Sequence, residues 1–261
     1  MRNSEPTLQT KPVSIIMPVM NHLQMTKNFL ESIKDKTELN YELIIIDNAS
    51  IDGTEEFLNE YSKNNHNTLI IKNKENVGVG PSWNQGIKKA KHDYVCIVNN
   101  DIEVMTTCWL KEMQKTLLKY PNVYWTSPRT CYEKDWKKIT YRASHYEQLF
   151  YGPIKESYVV GCCFMCPKHI FNEDEIGLFD EGFEVKYYED LDYLNRIKEK
   201  NKLLRMTQSS MVYHAVGQTS RETPGGGENV SYYKKKWEGT PFDILDMQSH
   251  QPKGIKHFER K

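Results

Sequence analysis

Asn99, Asn100 and Asp101 close an apolar run, Val95 to Val98, and apolar residues resume at Ile102. Two amides and a carboxylate in that place serve either a turn or a ligand. A carboxylate can hold a divalent cation through its oxygens. Asp47 likewise ends an apolar run, Leu43 to Ile46. Glu189 and Asp190 stand side by side ahead of the apolar positions Leu191, Leu194 and Ile197. Such carboxylates suit the positive end of a helix, and one of them could also take a proton. His214 ends another apolar run and could ligate a metal, although a lone histidine there is by default a satisfied core residue. Cys162, Cys163 and Cys166, with His169 beyond, have a spacing that zinc ligands can show. No second ligand pair follows, and "VVGCCFMCP" reads as buried strand, so these are core thiols.

The first half of the chain alternates short apolar runs with helical patterns. "VSIIM" (Val13 to Met17), "LIIID" (Leu43 to Asp47), "TLII" (Thr68 to Ile71) and "YVCIV" (Tyr94 to Val98) are predicted strands, apolar enough to be buried on both faces. Phe29, Leu30 and Ile33 share one helical face, Phe57, Leu58 and Tyr61 a second, and Trp83, Ile87 and Ala90 a third. Asp52-Gly53 reads as a turn and helix start, and Pro81 suits a first helical turn. This alternation predicts an α/β fold, a mostly parallel sheet with helices on both faces. Ligands bind such sheets beyond the carboxyl ends of the strands. Asp47, the turn at Gly78 and Asn99 to Asp101 all fall there.

The second half is less regular. A helix is predicted through Trp109, Met113 and Leu117, a strand over "VVGCCFMC", a helix from Pro167 and another from about Glu189. "LLRM" and "MVYH" read as two final strands. The polar, aromatic-rich stretch from Thr130 to Tyr158 matches no element. Beyond His214 come a glycine-rich loop and a basic aromatic segment.

The 261 residues fit one large domain or two small ones sharing a sheet. Hydrophobic residues make up 38%, enough for a packed core. Lys+Arg and Asp+Glu are both 35, so the chain has no global pull toward nucleic acid or an anionic membrane. No apolar run is long enough to span a bilayer, and the polar start carries no signal-peptide pattern. The expected location is therefore cytoplasmic, with peripheral attachment at the inner membrane face as an alternative. The six cysteines are then expected as thiols.

Three nucleotide-binding schemes fail. There is no Gly-Lys-Ser/Thr phosphate loop, and no G-x-G-x-x-G after the first strand. The Gly- and Arg-rich loop of a sugar-nucleotide pyrophosphorylase is also missing. What remains is "VSIIMPVMNHLQMTKNFLESI", "LIIIDNASIDGTEEFL", "NVGVGPSWNQGI", "VNNDIEV", "FDEGFEVKYYEDLDYLNRI" and "HAVGQTS", in that order, over Val13 to about Ser220. Together they resemble the inverting family-two glycosyltransferases of the GT-A fold.

The resemblance implies roles. Pro18, Val19 and Asn21 would cradle base and ribose, and Asp47 would accept a hydrogen bond from a uracil N–H. Asn76, Gly78 and Asn84 match the family's N-x-G…N element, where glycine admits a ligand close to the backbone. Asn99, Asn100 and Asp101 stand at the family's Asp-x-Asp motif, departing from it because Asn99 brings no charge. One carboxylate is a thin site for Mn²⁺ or Mg²⁺, so His214 is implied as a second ligand beside Asp101. Gly161 matches the small residue near donor sugar and acceptor, or else a strand bulge. Asp190 is implied as the general base of a single displacement, with Glu189 at the acceptor; Asp192 reads as structural. The loop Gly217 to Asn229 is a candidate lid, from which Arg221, Lys235 and Lys236 could reach the diphosphate; a solvated charge run is the other reading of these lysines.

The expected organisation is a flexible terminus (1–11), a nucleotide-sugar-binding half (12–105), an acceptor-binding and catalytic half (106–215) and a C-terminal lid and tail (216–261). The expected activity is inverting, metal-assisted transfer of a hexosyl-type sugar from a nucleotide donor to a hydroxyl. UDP is the expected nucleotide, with dTDP as alternative. The acceptor is a glycan, a lipid-linked oligosaccharide or another hydroxyl carrier, and nucleic acid is disfavoured by the neutral charge. A catalytically silent nucleotide- or glycan-binding module and a nucleotidyltransferase are the competing readings.

Overall fold

Continuous apolar runs become strands of one eight-stranded sheet, because a strand covered on both faces has no solvent side to keep polar. A computed structural model describes residues 8–131, 161–215 and 227–240. Its strands are β1 (Val13–Val19), β2 (Tyr41–Asp47), β3 (Thr68–Lys72), β4 (Tyr94–Val98), β5 (Ile102–Val104), β6 (Val123–Cys131), β7 (Cys163–Pro167) and β8 (Leu203–His214). They lie in the order β3-β2-β1-β4-β7-β6-β8-β5. The helices are α1 (Leu23–Lys36), α2 (Thr54–Asn64), α3 (Val79–Lys89), α4 (Trp109–Lys119), α5 (Glu189–Glu199) and α6 (Asn229–Trp237). Pairings among β1, β2, β3 and β4 are parallel, as is β6 with β8; β7 runs antiparallel to β4 and β6, and β5 to β8. The sheet is therefore mixed.

Alternation along the strands divides the core between two faces. Ile15, Met17 and Val19 of β1 pack with Phe29 and Ile33 of α1 and with Trp109 and Met113 of α4. Ile16 points the other way, toward Trp83 and Ile87 of α3 and Tyr193 and Ile197 of α5. The helix that carries Glu189 and Asp190 is thus anchored by its apolar face on the same core as the Gly78 turn.

Two local expectations change, and one strand, β6, was not predicted. "LLRM" and "MVYH" are one strand, β8, because buried polar residues between them find partners on α4 and β6. Thr207 Oγ1 pairs with the hydroxyls of Thr116 and Thr126, each at 2.8 Å, and Ser210 Oγ donates to Trp109 O at 2.7 Å. The helix from Pro167 is only a 3-10 turn, Lys168–Phe171, after which Ile176 N folds back onto Ile170 O at 3.0 Å. β6 carries no alternation in its polar half, and its register shifts between Pro128 and Arg129, where proline cannot donate to a ladder. No helix among the described residues is long and apolar enough to cross a membrane.

Pairing register brings the polar strand ends together. Val19 lies opposite Asp47, Val98 opposite Cys163 and Ile102 opposite His214. One edge therefore collects the ends of β1, β2, β4 and β8 and the start of β7.

Candidate active site

The residues expected to receive the donor are tied to one another by bonds between side chains and backbone. Asp47 is 2% exposed, and its Oδ1 accepts the Ser50 N–H at 3.0 Å. Asn21 N donates to Ser50 Oγ at 2.8 Å, while Asn21 Oδ1 accepts the Ile51 N–H at 2.8 Å. Pro18 is half-buried and Val19 buried beside them. Asn48, to which the sequence reading gave no role, joins this loop to the glycine turn. Its Nδ2 donates to Gly78 O at 3.3 Å and to Ser82 Oγ at 2.8 Å. The only sequence signal was its place directly after Asp47.

Gly78 has φ +89, a conformation that side chains disfavour, and Asn76 Oδ1 accepts its N–H at 3.0 Å. The turn leans on the loop ahead of α5, with Val79 N donating to Val185 O at 2.9 Å. Asn84 departs from its expected ligand-facing role. It is fully buried, and its amide is engaged with both backbone groups of Phe179 and with Glu181 Oε1. Asn84 is a brace between α3 and that same loop. Asn100 is also buried, donating to Thr26 Oγ1 at 3.3 Å and facing Asn21 O at 3.5 Å, so it joins the ends of β1 and β4.

Backbone strain concentrates at this edge. Asn21, His22, Ala49, Tyr187 and Tyr188 all have φ between 57 and 75. Residues held so cost about 1–3 kcal/mol each and cluster at functional sites.

Asp101 Oδ1 is buried without a hydrogen-bond partner among the described residues and lies 3.3 Å from His214 Nε2. Burial works against a charged imidazole, but the neighbouring Asp101 carboxylate and Cys162 sulfur outweigh it and hold the His214 proton above the usual range. A carboxylate oxygen and an imidazole nitrogen 3.3 Å apart fit a divalent cation once the imidazole gives up its proton to the metal. A carboxylate with an imidazole suits Mn²⁺ better than Mg²⁺, which prefers oxygen alone. Among the described residues no third His, Cys, Asp or Glu completes a cluster. Asn99 is half-buried at this edge, and its N–H donates to Cys162 O at 2.8 Å.

That bond leads to the carboxylate pair. Asp190 Oδ1 accepts the Leu191 N–H at 2.8 Å, and Asp190 Oδ2 lies over Gly161. A Cβ on Gly161 would meet Oδ2 at 2.2 Å, so only glycine leaves room for this carboxylate. Glu189 is 7% exposed, with Oε2 unpartnered among the described residues. Burial first, and then the Asp190 charge, push its carboxyl up to about 8. The two carboxyls resist ionising together, and Glu189 is held toward its protonated form. Gly161→Ala is expected to push Asp190 aside and lower turnover by roughly 10²-fold, the cost of misplacing a reacting group by about 1 Å. Turnover equal to the parent would show that Asp190 tolerates the methyl group.

Lys236 does not point to a diphosphate. Its Nζ pairs with Asp192 Oδ1 at 2.8 Å and with Asp180, and Trp237 Nε1 donates to Asp192 Oδ1 at 3.0 Å. Asp192 is structural, as the sequence suggested, though wholly buried. Most of the candidate lid, Arg221 included, and most of the 130–158 stretch lie outside the described residues.

The family described as "Glycosyl transferase family 2" has a model that matches residues 14–174. The chain belongs to that family. An uncharacterized glycosyltransferase of Rickettsia typhi is 29% identical to this family 2 chain over 197 residues, covering 69% of it and 56% of the relative. Uncharacterized protein y4gI of Sinorhizobium fredii is 24% identical over 89% of this chain and 28% of its own length. The chain thus spans between about a quarter and somewhat over half the length of these two relatives. Two solved structures share the architecture. The mannosyltransferase PcManGT from Pyrobaculum calidifontis, in complex with GDP-Man and Mn²⁺, has a TM-score of 0.64 and 16% identity, covering 79% of this chain and 57% of that one. GalNAc-T7 with UDP, GalNAc and Mn²⁺ has a TM-score of 0.65 and 15% identity, covering 93% and 58%. This family 2 chain has the mixed α/β GT-A fold of those neighbours. The two bind different nucleotides on one fold, so the fold does not choose the nucleotide.

Proposed function

We propose that the chain moves a hexosyl-type sugar from a UDP-sugar to a hydroxyl of a glycan, lipid-linked or other acceptor, with inversion. The observation that carries this reading is the placement of Asp190 Oδ2 over Gly161, beside the strand ends that hold Asp101 and His214. Asp47, with Pro18, Val19 and Asn21, receives base and ribose, and the Asn76–Gly78 turn opens the backbone to the sugar nucleotide. Asp190 takes the acceptor's hydroxyl proton as that oxygen bonds to the anomeric carbon, and UDP departs from the opposite face with the electrons of the broken bond. Glu189, held toward its protonated form and buried beside it, keeps a second negative charge away from the incoming hydroxyl. Asp101 and His214 would hold Mn²⁺ or Mg²⁺, which would supply neutralisation of the charge developing on the diphosphate.

The nucleotide is tested by thermal shift with UDP-, dTDP- and GDP-sugars in the presence of Mn²⁺. A UDP-sugar is expected to stabilise most, and Asp47→Ala to remove that preference. A larger shift with a GDP-sugar would contradict the role given to Asp47.

A further inference from the structure

We propose that Asn229 is the positioning residue of the carboxylate corner, and that α6 is a brace aligning Asp190 with the Gly78 turn. The inference rests on Asp190 being the base. Asn229 is 1% exposed although it opens a helix of basic and aromatic residues. Its Nδ2 donates to Lys186 O at 2.8 Å and to Glu184 O and Tyr187 O, each at 3.1 Å. Its Oδ1 accepts the Glu184 N–H at 2.8 Å. One side chain thus holds four backbone groups of three residues, Glu184, Lys186 and Tyr187.

That backbone needs holding. Tyr187 and Tyr188 both have φ of 75, and Tyr188 immediately precedes Glu189. Two consecutive non-glycine residues in the left-handed region relax unless their surroundings prevent it. On the far side, Val185 O receives the Val79 N–H beside Gly78. Asn229 therefore sets the spacing between the glycine turn and Asp190. The rest of α6 grips the first turns of α5. Lys236 and Trp237 bind Asp192, Asn195 Nδ2 donates to Tyr233 OH, and the Tyr188 and Tyr233 rings lie 5.3 Å apart. A helix placed beyond the family-matching residues 14–174 is in this way part of the catalytic geometry.

The test follows UDP release from the UDP-sugar that stabilises the protein most with Mn²⁺, and UDP affinity by calorimetry in the same buffer. Asn229→Ala is expected to lower turnover about 10- to 100-fold while UDP affinity changes less than about threefold. Adding Tyr187→Gly is expected to recover at least about fivefold of that loss, because glycine enters the left-handed region freely. Asn229→Asp keeps the size and the acceptor for Glu184 N–H but has no donor for the three carbonyls, and the same loss is expected. The proposal is overturned if Asn229→Ala stays within about twofold of the parent, if UDP affinity falls in step, or if glycine rescues nothing. Failure of both single variants to fold also overturns it, since Asn229 would then hold the fold rather than the corner. Asp190→Asn is run alongside. Turnover surviving there defeats the base assignment, whereas loss there with full turnover in Asn229→Ala defeats only the brace.

Discussion

Asp190→Asn is expected to lower turnover by about 10²–10⁴-fold, the usual worth of a positioned base, while UDP still binds. The amide keeps the shape of the carboxylate over Gly161 but cannot take the hydroxyl proton. Glu189→Gln is the contrasting change. Glu189 is held toward its protonated form, so a neutral isostere is expected to keep turnover within about threefold. The two variants also differ in stability. The folded state binds the Glu189 proton up to about 8, whereas the unfolded chain releases it near 4.5. The contribution of this group is fully present below about 4.5 and is lost as pH rises to about 8. Thermal melts of Glu189→Gln should therefore match the parent at the acid end of that window and exceed it at the alkaline end. Full turnover in Asp190→Asn with loss in Glu189→Gln would reverse the two roles.

Chelation is expected to abolish transfer, with Mn²⁺ restoring it more fully than Mg²⁺ because one ligand is an imidazole. Asp101→Asn removes the only charge among Asn99, Asn100 and Asp101, and should leave turnover near the chelated level even with Mn²⁺ present. His214→Ala should weaken UDP binding only when Mn²⁺ is there. Full activity in EDTA would remove the metal from the account. An unchanged affinity in His214→Ala would return that histidine to a core role beside Cys162 and Asp101.

The strand ends were legible because their neighbours are uniformly apolar. Asp47 and Asp101 stood out against "LIII" and "VCIV", and register then placed them on one edge. Other features were hidden where polar side chains bond inside the protein. Thr207 and Ser210 broke the pattern of β8 while pairing with hydroxyls and a carbonyl that sequence cannot show. Asn84 and Asn229 illustrate the same limit from opposite sides. Asn84 looked like a ligand residue and is a buried brace; Asn229 looked like loop and grips four backbone groups. Lys236 sat in an apparently solvated run, yet its partners Asp180 and Asp192 lie more than 40 residues away in the chain. An amide's role depends on whether a backbone lies within hydrogen-bond reach, and periodicity carries no information about that.

The most direct test of the account is the configuration of the first-formed product. A UDP-α-sugar is supplied with Mn²⁺, water or an added alcohol serves as acceptor, and the anomeric proton of the released sugar is followed by NMR before mutarotation. Single displacement with Asp190 as base predicts the β-anomer. An α-anomer formed first would contradict it.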